Sequence, residues 1–291
     1  MTAKILQLEQ GTAAWHEVRR QHRCASETPA VLGVSPWVTP FQMWEIKTGK
    51  ALPEPPNPAM LHGTRTEPLA RAAYEEKTGL VLQPLVLVDG EYLASLDGMT
   101  LDEKLVLEIK CPAKGKASTL WQAVSGGTMP EHIRWQLQHQ LMVSGAEQAH
   151  LFVYVDGEAV LLEHTPSADD FAILRSCWDR FIDEYVKPGQ PPPLSDGDTV
   201  IRTDEAWVEA AQQYIALSAQ ADKVGDKLVE AKKVLLALAR HSSERGAGVA
   251  VSTYWKTGSV DYKKLIATVG VDVEQFRGPA RQEARISFVK D

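Results

Sequence analysis

LASLDGMTLDEKLVLEIKCP, residues 93–112, is the stretch from which this chain is read. Leu93–Leu96 ends on Asp97-Gly98, and the apolar run Leu105–Ile109 stops at the charged, proline-containing corner Lys110-Cys111-Pro112. Short apolar runs bounded by turn residues are strands. Residues i and i+2 of a strand share a face, so Glu108 and Lys110 face one side and Ile109 points into the opposite, apolar layer. If Asp97 closes an adjacent strand, an aspartate, a glutamate and a lysine converge on one sheet edge. Asp97, Glu108 and the backbone carbonyl of Ile109 are hard oxygen donors of the kind that hold Mg²⁺. Lys110, the only donor among the acids, can orient water or steady developing charge. Glu67, from an upstream helix, can complete one or two metal sites. The chemistry these residues suit is phosphodiester cleavage. The bland alternative is a solvated strand face with a cross-strand ion pair, Asp97-Gly98 being only a turn. The continuous apolar surroundings of Glu108 weigh against it, because a buried acid–lysine group without a task is costly and active sites are where that cost is tolerated.

Upstream, helices are expected over Ala14–Arg20, over Glu27–Leu32 with Ser26 as its cap, and over Pro40–Thr48 ending at Gly49. Four prolines (Pro53, Pro55, Pro56, Pro58) make 51–59 an extended loop. A helix over Met60–Thr78 carries Glu67 and ends at Gly79. Leu85–Val88 and Tyr92–Leu96 flank Asp89-Gly90 as a hairpin. Downstream come helices over 118–125 and 131–144, a hairpin of 150–155 and 159–164 about Asp156-Gly157, and an amphipathic helix over Asp169–Val186. PGQPPPLSDGD, 188–198, reads as a linker. Beyond it lie a long helix over 204–241, strands at 249–251 and 286–288, and a helix over 262–268. The architecture is α/β: a core at 1–187 with a central mixed sheet flanked by helices, the 188–198 linker, and a helix-and-strand extension at 199–291.

Composition is that of a globular domain, 44% hydrophobic and 24% charged. No apolar run reaches the roughly 18 residues that cross a bilayer, and the start, MTAKILQLEQ, lacks a signal-peptide core; a cytoplasmic location is expected, in a bacterial host if the chain is phage-encoded. Cys24, Cys111 and Cys177 are distant and odd in number, which argues against a disulfide framework, structural zinc or an iron–sulfur cluster. The net charge of −7 counts against a protein that merely coats nucleic acid. It counts little against a nuclease, which needs carboxylates to hold metal.

The order GTRTEP (63–68), SLDG (95–98), LEIK (107–110) and QLQHQLMVSG (136–145) resembles the phage YqaJ and lambda-type exonucleases of the PD-(D/E)xK superfamily. WHEVRRQHRCASETPAVLGVSPW (15–37) is similar to that family's opening segment. The resemblance spans roughly residues 12–187, and five separated motifs carry it. It implies a PD-(D/E)xK restriction-endonuclease-like core, a processive 5′→3′ exonuclease on double-stranded DNA ends, and Mg²⁺, with Mn²⁺ able to substitute. It further implies a ring-shaped homo-oligomer, a trimer favoured, and a single-strand annealing protein as partner. By motif, Glu67, Asp97 and Glu108 are the implied metal ligands and Lys110 the catalytic lysine. Gln136 is implied to position water or substrate, and Arg19 and Ser26 to bind the 5′ phosphate, a task suited to an arginine fork. Cys24 departs from the pattern, which has threonine there. GSVDYKKL (258–265) is similar to a stretch recurring in some phage members.

Other features have plainer readings. Gln136, Gln138 and Gln140 can simply be the polar face of a helix, Gln140 above all. His62 is a minor metal-ligand candidate, since a lone histidine is more often structural. Trp15 and Trp37 can stack on DNA, although core packing is the expected role for most of the eight tryptophans. Trp207, Ala211, Tyr214, Leu217, Ala221, Val224 and Leu228 approach a heptad, for a coiled coil or a helix folded back on the core; Lys227, Lys232, Lys233 and Arg240 there are expected to solvate it. Two alternatives to an exonuclease remain: an endonuclease with the same catalytic core, and a non-catalytic DNA-binding assembly protein. An intact acid–lysine set speaks against the second, and the Arg19–Ser26 segment against the first.

Overall fold

The computed structural model describes residues 3–8, 11–51, 57–281, 283 and 286–287, in two compact units, Met1–Val200 and Ile201–Asp291. No helix among the described residues is long and apolar enough to cross a membrane.

The first unit is built on seven strands: β1 (Lys4–Leu6), β2 (Arg23–Cys24), β3 (Leu82–Asp89), β4 (Tyr92–Thr100), β5 (Leu105–Lys110), β6 (Gln148–Val155) and β7 (Glu158–His164). Their spatial order is β1-β3-β4-β5-β6-β7, with β2 beside β4. β5 and β6 are parallel, as are β2 and β4, and the remaining pairs are antiparallel. The sheet is therefore mixed. β3 and β4 turn through Gly90, whose φ of 60° needs no Cβ. β6 and β7 turn through Asp156 and Gly157, both at positive φ, the backbone that tight hairpins require.

Helices cover both faces. α4 (Pro58–Thr78) packs against β5 and β6, and α6 (Glu131–Ser144) against β3 to β6. Alternation along β5 explains the two cores: Leu105, Leu107 and Ile109 join Ala70 and Tyr74 of α4, while Val106 joins Leu137 and Leu141 of α6. Burial on both sides gives β5 its unbroken apolar run. α7 (Ala168–Arg180), continued by a π-helical turn over Phe181–Val186, adds Leu174, Trp178 and Phe181 to the α6 side. α1 (Ala13–Gln21), α2 (Thr28–Val31), α3 (Pro40–Lys47) and α5 (Thr119–Ser125) complete the unit.

Several local expectations change. Ser26 caps no helix; it lies inside a 3₁₀ turn, Ala25–Glu27, ahead of α2, and its hydroxyl accepts from Arg19 instead. α4 begins two residues early, at Pro58, because Asn57 caps it by accepting from the Ala59 and Met60 N–H groups. Of the expected 51–59 loop, 52–56 lie outside the described residues. Residues 188–198 lie within the first unit: the Thr39 hydroxyl donates to Asp198 Oδ1 (2.5 Å), and the Ser195 N–H donates to Asp198 Oδ2 (2.7 Å).

In the second unit, α8 (Glu205–Leu238) is capped by Asp204 and has no buried residue. β8 (Ser243–Gly246) and β9 (Val249–Ser252) pair through Ala247-Gly248, both at positive φ. α9 (Tyr262–Val269) ends on Gly270. Ile286 and Ser287, expected in a strand, carry none, and Phe288 lies outside the described residues.

Candidate active site

The site forms where the sheet divides. β3 follows one edge of β4 from Thr100 to Tyr92. The other edge is shared: β2 takes Tyr92 and Leu93, and β5 takes Gly98 and Met99. Among the described residues no strand adjoins Ala94–Asp97 there. Beyond the Gly98–Leu107 pair β5 leaves β4, and Asp97 and Glu108 are the first residues past the split.

Asp97 bridges it. Its Oδ2 accepts the Ile109 N–H at 2.7 Å, in place of the ladder bond that β4 no longer makes. The N–H and C=O of one strand residue point the same way, so the Ile109 carbonyl faces the same opening. Ile109's side chain sits in the α4-side core, and Glu108 and Lys110 turn to the other face, as the period of two requires. Glu108 is 3% exposed and held at three points. Lys110 Nζ lies 2.5 Å from Oε1, Gln136 Nε2 donates to Oε1 at 2.8 Å, and Gln140 Nε2 donates to Oε2 at 2.6 Å. Lys110 itself is one-third exposed, so the cluster opens to solvent on its side.

Burial, and then the neighbouring Glu108 charge, push the Asp97 carboxyl well above the usual range; Lys110 and the Ile109 N–H act against them. Burial pulls the Lys110 ammonium down, but the Glu108 and Asp97 charges outweigh it and leave its pKa raised. Two crowded carboxylates with one lysine between them are a site that a cation would relieve. Among the described residues no group of three or more His, Cys, Asp or Glu side chains stands ready to hold a metal ion. The oxygens that would hold a cation here are those of the Asp97 and Glu108 carboxylates and the Ile109 peptide. Such all-oxygen donors fit Mg²⁺ or Mn²⁺ and are poor for softer metals.

Glu67 feels this cluster electrostatically, and its charge raises Asp97. Its Oε1 is engaged by Arg71 Nη2 at 2.6 Å, one turn along α4, and its Oε2 is left for another partner. His62, five residues before Glu67, is turned about 140° away round the helix. Gln140, expected on a polar helix face, is fully buried, and its second N–H reaches the Ser95 carbonyl (3.4 Å) in the gap between β2 and β5. The signal for it was its spacing: four residues from Gln136 puts both on one face. Gln138 faces elsewhere, bonding His164 and Thr165 near the start of α7.

Arg19 and Ser26 do meet: Arg19 Nη2 donates to Ser26 Oγ and to Glu27 Oε1, each at 3.0 Å, with its guanidinium over the Trp15 ring. Buried Lys47 ties the segment together, its ammonium 2.5 Å from Glu27 Oε2 and donating to the Arg19 and His22 carbonyls at 2.6 Å. Cys24 offers an anion nothing. It is fully buried, its thiol donates to the Arg19 carbonyl (3.4 Å), and desolvation, with Glu27's charge, pushes its pKa up to about 12. All three cysteines are free thiols. Trp37 is not a core residue: it is 75% exposed.

Residues 14–147 match the family model of the YqaJ-like viral recombinase domain. The uncharacterized protein YqaJ of Bacillus subtilis (strain 168) is 24% identical over 282 residues, covering 86% of each chain. The fold is similar to that of an alkaline exonuclease, LHK-Exo, from Laribacter hongkongensis. The TM-score is 0.52 and the identity 23%, over 60% of this chain and 92% of that one. The complex of LHK-Exo with dAMP gives the same values. The likeness is one of fold: an α/β core with a central mixed sheet between helices.

Proposed function

We propose that this chain, whose residues 14–147 match the model of the YqaJ-like viral recombinase domain, is a metal-dependent exonuclease that degrades linear double-stranded DNA from its 5′ ends. The 3′ single strands left behind would serve recombination by strand annealing. The observation that carries this reading is the meeting of Asp97, Glu108 and Lys110 at the split between β4 and β5.

Mg²⁺, or Mn²⁺ in its place, would be held by Asp97, Glu108 and the Ile109 carbonyl, with Glu67 joining from α4. When bound, it offsets phosphate charge and activates water. Lys110 then turns its ammonium from Glu108 toward the attacking water and the phosphate, where it stabilises charge that grows as the bond breaks. Gln136 and Gln140 keep Glu108 from rotating. Arg19 and Ser26 form an anion pocket at the end of β2, apt for a terminal 5′ phosphate. That pocket favours an end-directed enzyme over an endonuclease with the same core. A ring-shaped homo-oligomer, a trimer favoured, and a single-strand annealing partner belong to the same reading and rest on family resemblance.

The deciding experiment compares linear 5′-phosphorylated duplex with covalently closed circles, with and without Mg²⁺. Linear DNA should disappear only with Mg²⁺ while circles survive; rapid cutting of circles means an endonuclease. Lys110→Ala should abolish cleavage and leave DNA binding largely intact, and full activity in that variant would remove the assignment.

A further inference from the structure

His132, Gln136 and Gln140 succeed one another at four-residue steps and so share one face of α6. Gln140 and Gln136 hold the two oxygens of Glu108. His132 extends the stripe four residues, about 6 Å, toward the start of the helix. Burial, and then the Lys110 charge, hold its imidazole below the ordinary range. Against it stands Trp37, ring centroids 4.9 Å apart and planes at 86°.

The setting of Trp37 is unusual for a tryptophan. Three-quarters of it is exposed, yet the backbone beneath it is fixed. The Val34 and Ser35 N–H groups donate to the Pro29 carbonyl (2.9 and 3.0 Å), and the Trp37 and Val38 N–H groups donate to Ser35 Oγ (3.3 and 3.2 Å). Thr39 then caps α3 with a reciprocal bond to Gln42. A large flat ring is thus presented to solvent on a rigid support, so little freedom is lost when something covers it. The charged group that the site opens to solvent, Lys110, is suited to a phosphate rather than to a protein surface. Stacked bases follow one another at about 3.4 Å along a strand, so the four-residue step from Gln136 to His132, about 6 Å along the helix, spans roughly two of them.

We propose that Trp37, backed by His132, is a stacking platform for a nucleobase of the strand whose phosphate lies at Glu108 and Lys110. This rests on the nuclease reading above and adds a substrate contact to it. An aromatic face accepts any base, which suits an enzyme that must advance through every sequence.

The test uses the full chain as wild type, Trp37→Ala and Trp37→Phe, without divalent metal so that nothing is cut. The probe is a 5′-phosphorylated duplex with 2-aminopurine as its terminal or penultimate base. Wild type and Trp37→Phe should bind it alike and quench the probe; Trp37→Ala should bind roughly five- to 150-fold more weakly and restore emission. Thermal unfolding should be the same for all three, because the side chain is exposed. Equal affinity and emission in wild type and Trp37→Ala overturns the platform, as does a phenyl ring that fails as completely as alanine. In either case Mg²⁺-dependent loss of linear DNA by the wild type leaves the nuclease reading standing. A wild type that neither binds nor cuts DNA overturns both.

Discussion

Gln140 Nε2 lies 2.6 Å from Glu108 Oε2, so a fully buried amide on α6 fixes a carboxylate on β5. With Gln136 on Oε1, the glutamate has one amide on each oxygen and keeps its remaining lone pairs for other partners. Replacing Gln140 with leucine keeps the packing and removes the tether. Cleavage and Mg²⁺ affinity should each fall roughly 10- to 100-fold, the usual cost of losing a group that orients a ligand. Isothermal titration of the protein with Mg²⁺, beside a rate measurement, checks this; unchanged values in both would show that Glu108 needs no second amide.

The pocket around Arg19 predicts a preference among DNA ends. Wild type should degrade 5′-hydroxyl ends about tenfold more slowly than 5′-phosphorylated ends, on the scale of one lost charge-assisted contact. Arg19→Ala should slow the phosphorylated substrate to the hydroxyl rate. Lys47→Met should fall between, since Lys47 binds the Arg19 carbonyl and Glu27 rather than the ligand. Equal wild-type rates on the two ends would take the phosphate role from Arg19.

Acid sensitivity should have a specific source. Burial, and then the Lys47 and Arg23 charges, push the His139 pKa down to about 3, despite a backbone hydrogen bond at Arg23 that acts the other way. The imidazole Nδ1 pairs with the Thr28 hydroxyl at 2.6 Å. The unfolded chain takes up a proton on this residue below about pH 6.5 while the folded chain does not. Stability is therefore whole above pH 6.5 and is lost as pH falls toward 3, by about 1.4 kcal/mol per unit. Urea denaturation at pH 7.5 and pH 5 should show a drop about 2 kcal/mol larger in wild type than in His139→Gln. Equal drops would mean that His139 does not govern the acid limb.

At Gly98 the division of the sheet leaves no room for a side chain. A Cβ there would meet the Leu82 Cβ at 3.1 Å and the Leu107 Cβ at 3.4 Å. Gly98→Val should cost about 1–3 kcal/mol of stability and most of the activity, because β5 must move just where Glu108 begins. Chemical denaturation and a nuclease assay check it; a variant with native stability and rate would show that β4 and β5 yield without disturbing the acids.

How much of this was legible in the chain depended on range. Asp97, Glu108 and Lys110 could be read because a strand's period is local and its two faces are labelled by apolar neighbours. Gln140 could not: on a helix buried nearly all round, polar spacing names a face but not what that face meets. Ser26 looked like a cap because nothing local announces that an arginine seven residues upstream takes its hydroxyl. β2, two residues long and parallel to a strand some seventy positions later, has no periodicity to detect. The Pro-rich stretch before Asp198 reads as free chain, yet Pro192 is buried and Thr39 bonds Asp198, long-range contacts that no local pattern announces.

β4 works as a ruler. Cys24 pairs with Leu93 near one end, just before the turn that carries Ser26, and Asp97 stands four residues on, about 13 Å along the strand. Under the proposed function, the offset between a DNA end held at Arg19 and Ser26 and the bond cut at Asp97 would be written in peptide units. The fragment released should keep one length whatever the sequence. Inserting a single residue between Leu93 and Asp97 would turn the aspartate to the far side of the sheet, so the ruler can be lengthened only in steps of two.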